Sequence, residues 1–268
     1  CGYSIKMFNT CPACSSKHIK KLGIGTQLVN TELSDIFPNS KILRMDYDTV
    51  GSYVTYGNKL NAFKYGEYDI MLGTQMVAKG LDFPNVTLVG VLNADLSLYV
   101  DDFRANERTF SLLTQVCGRS GRAGKEGRAI IQTYSPDYEI IRFAKEQSYD
   151  KYYDFEINFR KAMNYPPFCD LVLFSISDRS EEAAYKNVQL LYRLINEMSN
   201  GEFTDIPVRM LYPTTPKIAK FNDKYRYNLV IKSKVCNRLY EMLWKLTNYF
   251  EENISSALSV NVNPMSSI

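Results

Sequence analysis

The chain has 268 residues, 45% of them hydrophobic and 23% charged, without excess proline, glycine or low-complexity sequence, which is the composition of a folded protein long enough for two cores. Its 32 Lys and Arg against 29 Asp and Glu leave a net charge of +3, too small to announce a polyanion partner, and a single histidine, His18, all but excludes a Ser-His-Asp triad. No apolar run approaches the roughly 20 residues of a spanning helix and no basic-then-apolar leader opens the chain, so no membrane partner and a cytoplasmic location are expected.

In chain order, the first feature is a cysteine cluster. Cys11-Pro12-Ala13-Cys14 has zinc-knuckle spacing, in which a short turn brings two thiolates to one tetrahedral metal, and Cys1-Gly2 reads as the tail of a preceding C-x-x-C. The opening at Cys1 without Met reads as a chain cut from a longer protein. Zn2+ ligation by Cys1, Cys11 and Cys14 is therefore expected with one ligand short, His18 being a weak substitute; an incidental C-x-x-C or a redox pair is the alternative. Cys117, Cys169 and Cys236 sit in apolar contexts and read as core residues.

From Ile42 to Pro136, inside a domain expected over 17–148, the sequence alternates short apolar runs with helical spacing. Lys41 to Met45, Asp69 to Leu72, Thr87 to Leu92 and Arg128 to Thr133 read as strands too continuously apolar for a sheet with one wet face. Thr26 to Phe37, Tyr56 to Lys64 and Asn106 to Cys117 read as the helices covering them, the last with Phe110, Leu113 and Val116 on one side. The expected fold class is α/β, a parallel sheet with helices on both faces.

Two segments of that region carry phosphate chemistry. Gly73-Thr74-Gln75-Met76-Val77-Ala78-Lys79-Gly80-Leu81-Asp82-Phe83-Pro84 begins where a buried strand ends, at the carboxyl edge where open α/β sheets bind ligands. Gln115-Val116-Cys117-Gly118-Arg119-Ser120-Gly121-Arg122 closes a helix in a glycine-rich turn bearing two arginines three residues apart. A guanidinium so placed offers a fixed charge and a planar donor fork to phosphoryl oxygens; a solvated basic turn is the plainer alternative.

Tyr138 to Met163 is charged, aromatic and largely helical, and Tyr165-Pro166-Pro167 forbids its continuation, so a linker helix over 149–166 is expected to separate two domains. Beyond it the pattern is strand Asp170 to Ser177, helix Glu181 to Met198, strand Val208 to Tyr212, strand Tyr225 to Lys232, helix Val235 to Glu252 and strand Leu258 to Asn263. This βαββαβ order over 167–268 implies a four-stranded antiparallel sheet with one face left open. Between Lys217 and Lys234 six cations face Asp223 alone, interleaved with Phe221, Tyr225 and Tyr227. That combination holds single strands, with cations on phosphate and rings under bases, although lysines guarding an edge strand over core tyrosines would read the same way.

These motifs together resemble a known family. GTQMVAKGLDFPNV and QVCGRSGR look like motifs V and VI of the second RecA-like lobe of superfamily-two helicases. With Gly25-Thr26-Gln27, Arg44-Met45-Asp46-Tyr47-Asp48-Thr49, Asp102-Phe103-Arg104-Ala105-Asn106-Glu107-Arg108-Thr109, Tyr165-Pro166-Pro167-Phe168 and the Pro216 to Tyr227 segment, nearly the whole chain resembles the primosomal protein N′ (PriA) family of replication-restart DNA helicases. Two departures stand out: Asn164 replaces the family's glycine before Tyr-Pro-Pro, and Asn261 and Asn263 replace the aspartates before Pro264.

The resemblance implies that Arg119 and Arg122 are arginine fingers toward ATP with Mg2+ held by another lobe, that Gln115 contacts the phosphates, and that Gly80, Asp82 and Gly118 belong to the nucleotide pocket. Thr26 and Thr74 would hold DNA-strand phosphates, and Lys220, Lys224, Tyr225, Arg226 and Tyr227 a second DNA surface. The implied partners are single-stranded and forked DNA, other primosome proteins, and single-stranded DNA-binding protein, its acidic tail docking at Lys224 and Asn228. Residues 1–16 would be a zinc-module remnant. No GxxxxGK[ST] loop or DEAH-like box occurs in the sequence, the nearest approach having Glu126 where the hydroxyl belongs, so an ATP-dependent helicase is implied only for a longer protein and inactivity for this chain alone. Another superfamily-two helicase, for fork remodelling or RNA, and a catalytically silent nucleic-acid adaptor are the rival readings.

Overall fold

The structure is a computed structural model that describes residues 8–11, 14–17, 25–46, 53–74, 83, 85–118 and 127–265. Its contacts gather into two units that do not divide where the prolines are. Of the described residues, those from Phe8 to Val100 together with Ala105–Tyr152 form the first, and Asp101–Arg104 joins Tyr153 onward in the second.

In the first unit the described elements are α1 (Thr26–Ile36), β1 (Ile42–Met45), α2 (Tyr53–Lys64), β2 (Ile70–Gly73), β3 (Leu88–Val91), α3 (Asp95–Leu98), α4 (Ala105–Cys117), β4 (Arg128–Ile131), α5 (Glu139–Glu146) and the start of α6 (Tyr149–Met163). All four strands fall where the apolar runs place them. They pair in parallel, β1 with β2 in the register Ile42 to Ile70 and β3 with β4 in the register Leu88 to Arg128, as two ribbons among the described residues. Val89 and Val91 lie on the covered side of β3, whereas Leu88 and Ile130 are each 59% exposed, so that side is barer than continuous apolarity suggested. Phe110 and Leu113 of α4 are buried together with Ile140, Ile141 and Ala144 of α5.

The helix read over 138–163 is two helices. Gln147 adopts φ 51°, Ser148 N–H bonds the Phe143 carbonyl at 3.0 Å and Gln147 N–H that of Ala144 at 3.2 Å, the paired bonds of a Schellman cap. The domain division shifts with it. Tyr149 and Tyr152 belong to the first unit, the Tyr152 ring stacking on Phe110 at 4.0 Å and 6°, so the boundary lies inside α6 and not at either end of a free linker helix.

The second unit continues with β5 (Asp170–Asp178), α7 (Glu181–Asn200), β6 (Arg209–Met210), β7 (Lys220–Phe221), β8 (Lys224–Ser233), α8 (Asn237–Asn253) and β9 (Ala257–Val262). The sheet runs β6-β8-β5-β9, all antiparallel, and the extra strand β7 pairs with β8, making five strands where four were expected. Alternation along β5 sends Val172, Phe174 and Ile176 inward, each fully buried, against Val188, Leu191 and Ile195 of α7 and Leu239, Met242 and Leu246 of α8. Leu173, Ser175 and Ser177 point to the other face, opposite Val230, Asn228 and Arg226. Ser180 caps α7 by accepting the Ala183 N–H at 3.3 Å.

Candidate functional site

Two candidate phosphate-binding residues of the first unit, Thr26 and Thr74, lie at the carboxyl edge of the β1–β2 ribbon. The pairing of Met45 with Gly73 places Asp46 and Thr74 side by side just past the carboxyl ends of β1 and β2. Thr26, the first residue of α1, donates its hydroxyl proton to Asp46 Oδ2 at 2.6 Å, and Arg44 Nε donates to the same oxygen. Asp46 is only 6% exposed. Because that proton is committed, Thr26 can meet a phosphate only through the main-chain N–H groups opening α1; Gly25 gives these no side-chain cap and the helix's own first turn holds no acid, Asp46 being the carboxylate beside them. Thr74 is exposed at the same edge.

The second phosphate segment is described up to Gly118. Gln115 lies exposed in the last turn of α4, its Nε2 donating to Ser111 Oγ at 3.1 Å. The Gly118 N–H bonds the Thr114 carbonyl at 3.0 Å, and a Cβ on Gly118 would stand 3.3 Å from that oxygen, so the helix ends in a turn tight enough to favour glycine. Arg119, Arg122, Gly80 and Asp82 lie outside the described residues. Burial raises the Cys117 thiol pKa, which agrees with a core role.

Of the expected zinc ligands Cys1 lies outside the described residues, as does His18, the weak substitute. Cys11 and Cys14 sit on a tight turn in which Ser15 N–H bonds the Cys11 carbonyl at 2.8 Å and Cys11 N–H that of Ser16 at 2.9 Å, with Ser15 at φ 55°. Such a turn suits a metal knuckle. Among the described residues no group of three or more metal-ligating side chains comes together.

In the second unit the basic hairpin forms, its Asn222-Asp223 tip with positive φ at both residues as a two-residue primed turn requires. Its rings and cations do not all share one face. Pairing of Tyr227 with Ile176 and of Tyr225 with Asp178 turns both tyrosines to the helix side. There Tyr227 packs on the core and edge-on against Tyr185 at 5.5 Å, and burial raises its phenol pKa, so it leaves the candidate stacking set. Arg226 points to the open face, where Nε donates to the Ile218 carbonyl at 3.2 Å and Nη2 to the same oxygen; it holds a loop as well as carrying charge. Asn228 is 7% exposed and its Oδ1 accepts from Ser175 Oγ at 2.8 Å, so it is no open surface partner for Lys224 in gripping an acidic tail and has only Nδ2 left, toward the cavity it lines. Lys224 is exposed, and Lys220 lies 4.9 Å from the Tyr225 ring and 3.7 Å from Asp223.

Two features escaped the sequence reading because they depend on distant segments meeting. One is the cavity under the loop that Arg226 holds. The other is the lodging of Asp102-Phe103-Arg104 in the second unit. Phe103 stacks on Tyr165 at 5.3 Å and 9°, with the Arg104 and Arg160 guanidiniums 4.4 and 5.2 Å from its ring, and Arg104 Nη1 donates to the carbonyls of Pro264 and Met265 at 3.1 and 2.9 Å. Lys232, 4% exposed, lies 3.4 Å from the Tyr165 ring and donates to the Met163 carbonyl at 2.8 Å; burial lowers its pKa.

Comparison with known proteins follows the same division. Residues 41–124 match the helicase conserved C-terminal domain and residues 161–265 the primosomal protein N C-terminal domain. A helicase C-terminal domain followed by a primosomal one defines the class. The replication restart protein PriA of Bacillus subtilis (strain 168) is 40% identical over 267 residues, 98% of this chain and 32% of that protein. Those of Borreliella burgdorferi and Synechocystis are 34% and 33% identical over 98% and 99% of the chain, and 38% and 31% of their own lengths. The chain belongs to the PriA family, and it spans about a third of the length of the curated relatives it matches. No helix of the described residues is long and apolar enough to cross a membrane.

Proposed function

We propose that the chain supplies the second motor lobe and the C-terminal domain of an ATP-dependent DNA helicase that restarts stalled replication forks and serves primosome assembly. The observation that carries this reading is the succession of a helicase C-terminal domain and a primosomal C-terminal domain, with likeness to replication restart proteins over 98% of the chain. Thr26 and Thr74 hold strand phosphates at the carboxyl edge of β1 and β2, Thr26 through main-chain N–H groups. Gln115 and Gly118 close α4 so that Arg119 and Arg122 reach an ATP whose other wall, with Mg2+, lies on a further lobe, and Gly80 with Asp82 complete this lobe's share of the pocket. Fixed cations there stabilise charge on the transferring phosphoryl group. Lys220, Lys224 and Tyr225 draw single-stranded and forked DNA to the second unit. Cys11 and Cys14, with Cys1, supply three of the four ligands of a zinc site that would serve as a structural cross-link in the longer protein; single-stranded DNA-binding protein and other primosome proteins are the protein partners, in the cytoplasm.

The test is made in the longer protein that carries this chain. Arg119→Ala or Arg122→Ala is expected to lower DNA-stimulated ATP hydrolysis about 10³-fold, the scale of an arginine finger, while forked-DNA affinity in a filter-binding assay stays unchanged. Hydrolysis at the parent rate in both variants would end the reading of these arginines as fingers. The chain by itself should show no ATP hydrolysis above background.

A further inference from the structure

The face of the second unit's sheet that α7 and α8 do not cover carries a built cavity. Thr214 pairs with Asn228 through both main-chain bonds, at 2.9 and 2.7 Å, and Arg226 N–H bonds the Ala219 carbonyl at 2.8 Å, so the chain between them is pinned at both ends and arches over the sheet. The cavity beneath it measures about 420 Å³. Its floor is Leu173, Ser175 and Asn228, and its roof and rim are Pro216, Lys217, Ile218 and Arg226, with no acidic side chain among them.

Each polar group there has capacity left. Arg226 spends Nε and Nη2 on the Ile218 carbonyl, which fixes the guanidinium and leaves Nη1. Lys217 is exposed at the rim. Asn228 uses Oδ1 to accept from Ser175, so its Nδ2 remains as donor and Ser175 Oγ as acceptor. The pattern is two cations for one anion, a donor and an acceptor on a rigid floor, and an apolar wall of Pro216 and Ile218 for a ring. An apolar peptide side chain seated on this floor would leave the Asn228 Nδ2 donor unsatisfied, whereas a base edge accepts from Nδ2 and can donate to Ser175 Oγ.

We propose that this cavity takes one nucleotide of a single DNA strand, its phosphate against Lys217 and Arg226 and its base edge over Ser175 and Asn228. The assignment rests on the reading that the second unit binds DNA and names a site distinct from the hairpin tip.

The experiment is fluorescence anisotropy with the full chain, using a thymidine oligonucleotide of about 12 residues and an abasic strand of the same length. Ser175→Ala is expected to weaken the thymidine strand about 5-fold and to leave the abasic strand unchanged, the loss of one hydrogen bond. Lys217→Ala should weaken both about 5-fold and reduce the slope of log affinity against log salt by nearly one. Equal melting temperatures establish that the variants are folded. If the parent chain binds DNA and both variants match it, this inference fails while the DNA reading stands. If the parent chain binds neither strand, both fail together. If an acidic peptide binds and only its affinity falls in the variants, the cavity belongs to a peptide and the inference is overturned.

Discussion

Asn263 is one of two positions where the family resemblance led to an expectation of aspartate, and its surroundings explain the amide. Asn263 Nδ2 donates to Asp170 Oδ1 at 2.8 Å, while its Oδ1 accepts the Leu171 N–H at 3.1 Å. An aspartate there would set two carboxylates against each other. Asn263→Asp is therefore expected to cost about 1 kcal/mol at neutral pH, the loss of a charge-assisted bond plus exposed like-charge repulsion. The opposed pair binds protons more readily folded than unfolded, so the deficit is full above about pH 5 and fades as the pH falls through the carboxylate range. Combining Asn263→Asp with Asp170→Asn should restore the bond with donor and acceptor exchanged. Urea denaturation across that pH range checks both statements; a deficit that ignores pH, or a double variant no better than the single, would contradict the electrostatic account.

At the scale of elements, periodicity was informative wherever a segment has one wet and one dry side. The stripes of α7 and α8 and the alternation along β5 mark the faces that are buried, and the strands of the first unit fall within a residue or two of their apolar runs. The break between α5 and α6 was not legible, because it rests on Gln147 entering the left-handed region at φ 51° with neither glycine nor proline to mark it. That position supplies its own test. Gln147→Gly removes the Cβ strain at the cap and keeps both Schellman bonds, so thermal unfolding should show stabilisation by about 0.5–1 kcal/mol despite the greater freedom of the unfolded chain. Destabilisation would mean that the Gln147 side chain matters more than its backbone. The basic hairpin was legible as composition but not as geometry: β-sheet pairing sends Tyr227 to the core side and Arg226 to the other, and the loop contact that occupies Arg226 joins residues eight apart.

At the scale of the whole chain, the division into units depends on a segment that sequence order hides. Asp101–Arg104 lies between α3 and α4 of the first unit yet packs in the second, where Phe103, 9% exposed, fills the space between Tyr165 and Arg160 while Arg104 ties down the carbonyls of Pro264 and Met265. Nothing in the spacing of Asp102-Phe103-Arg104 signals this, since its apolar residue looks like the start of α4. The consequence is that the second unit is not contained in residues 153–268 alone. Removing the Phe103 ring should open a cavity against Tyr165 and cost about 3 kcal/mol, the usual loss for a buried Phe→Ala change. Only amides whose exchange requires opening of the second unit should feel it. Native-state hydrogen exchange on Phe103→Ala is therefore expected to accelerate β5 and β8 amides about 100-fold and to leave those of β1 and β2 near their parent rates. Equal acceleration in both units would mean that the chain opens as a single cooperative body, and no acceleration in either would mean that the stacked ring adds nothing to the second unit's stability.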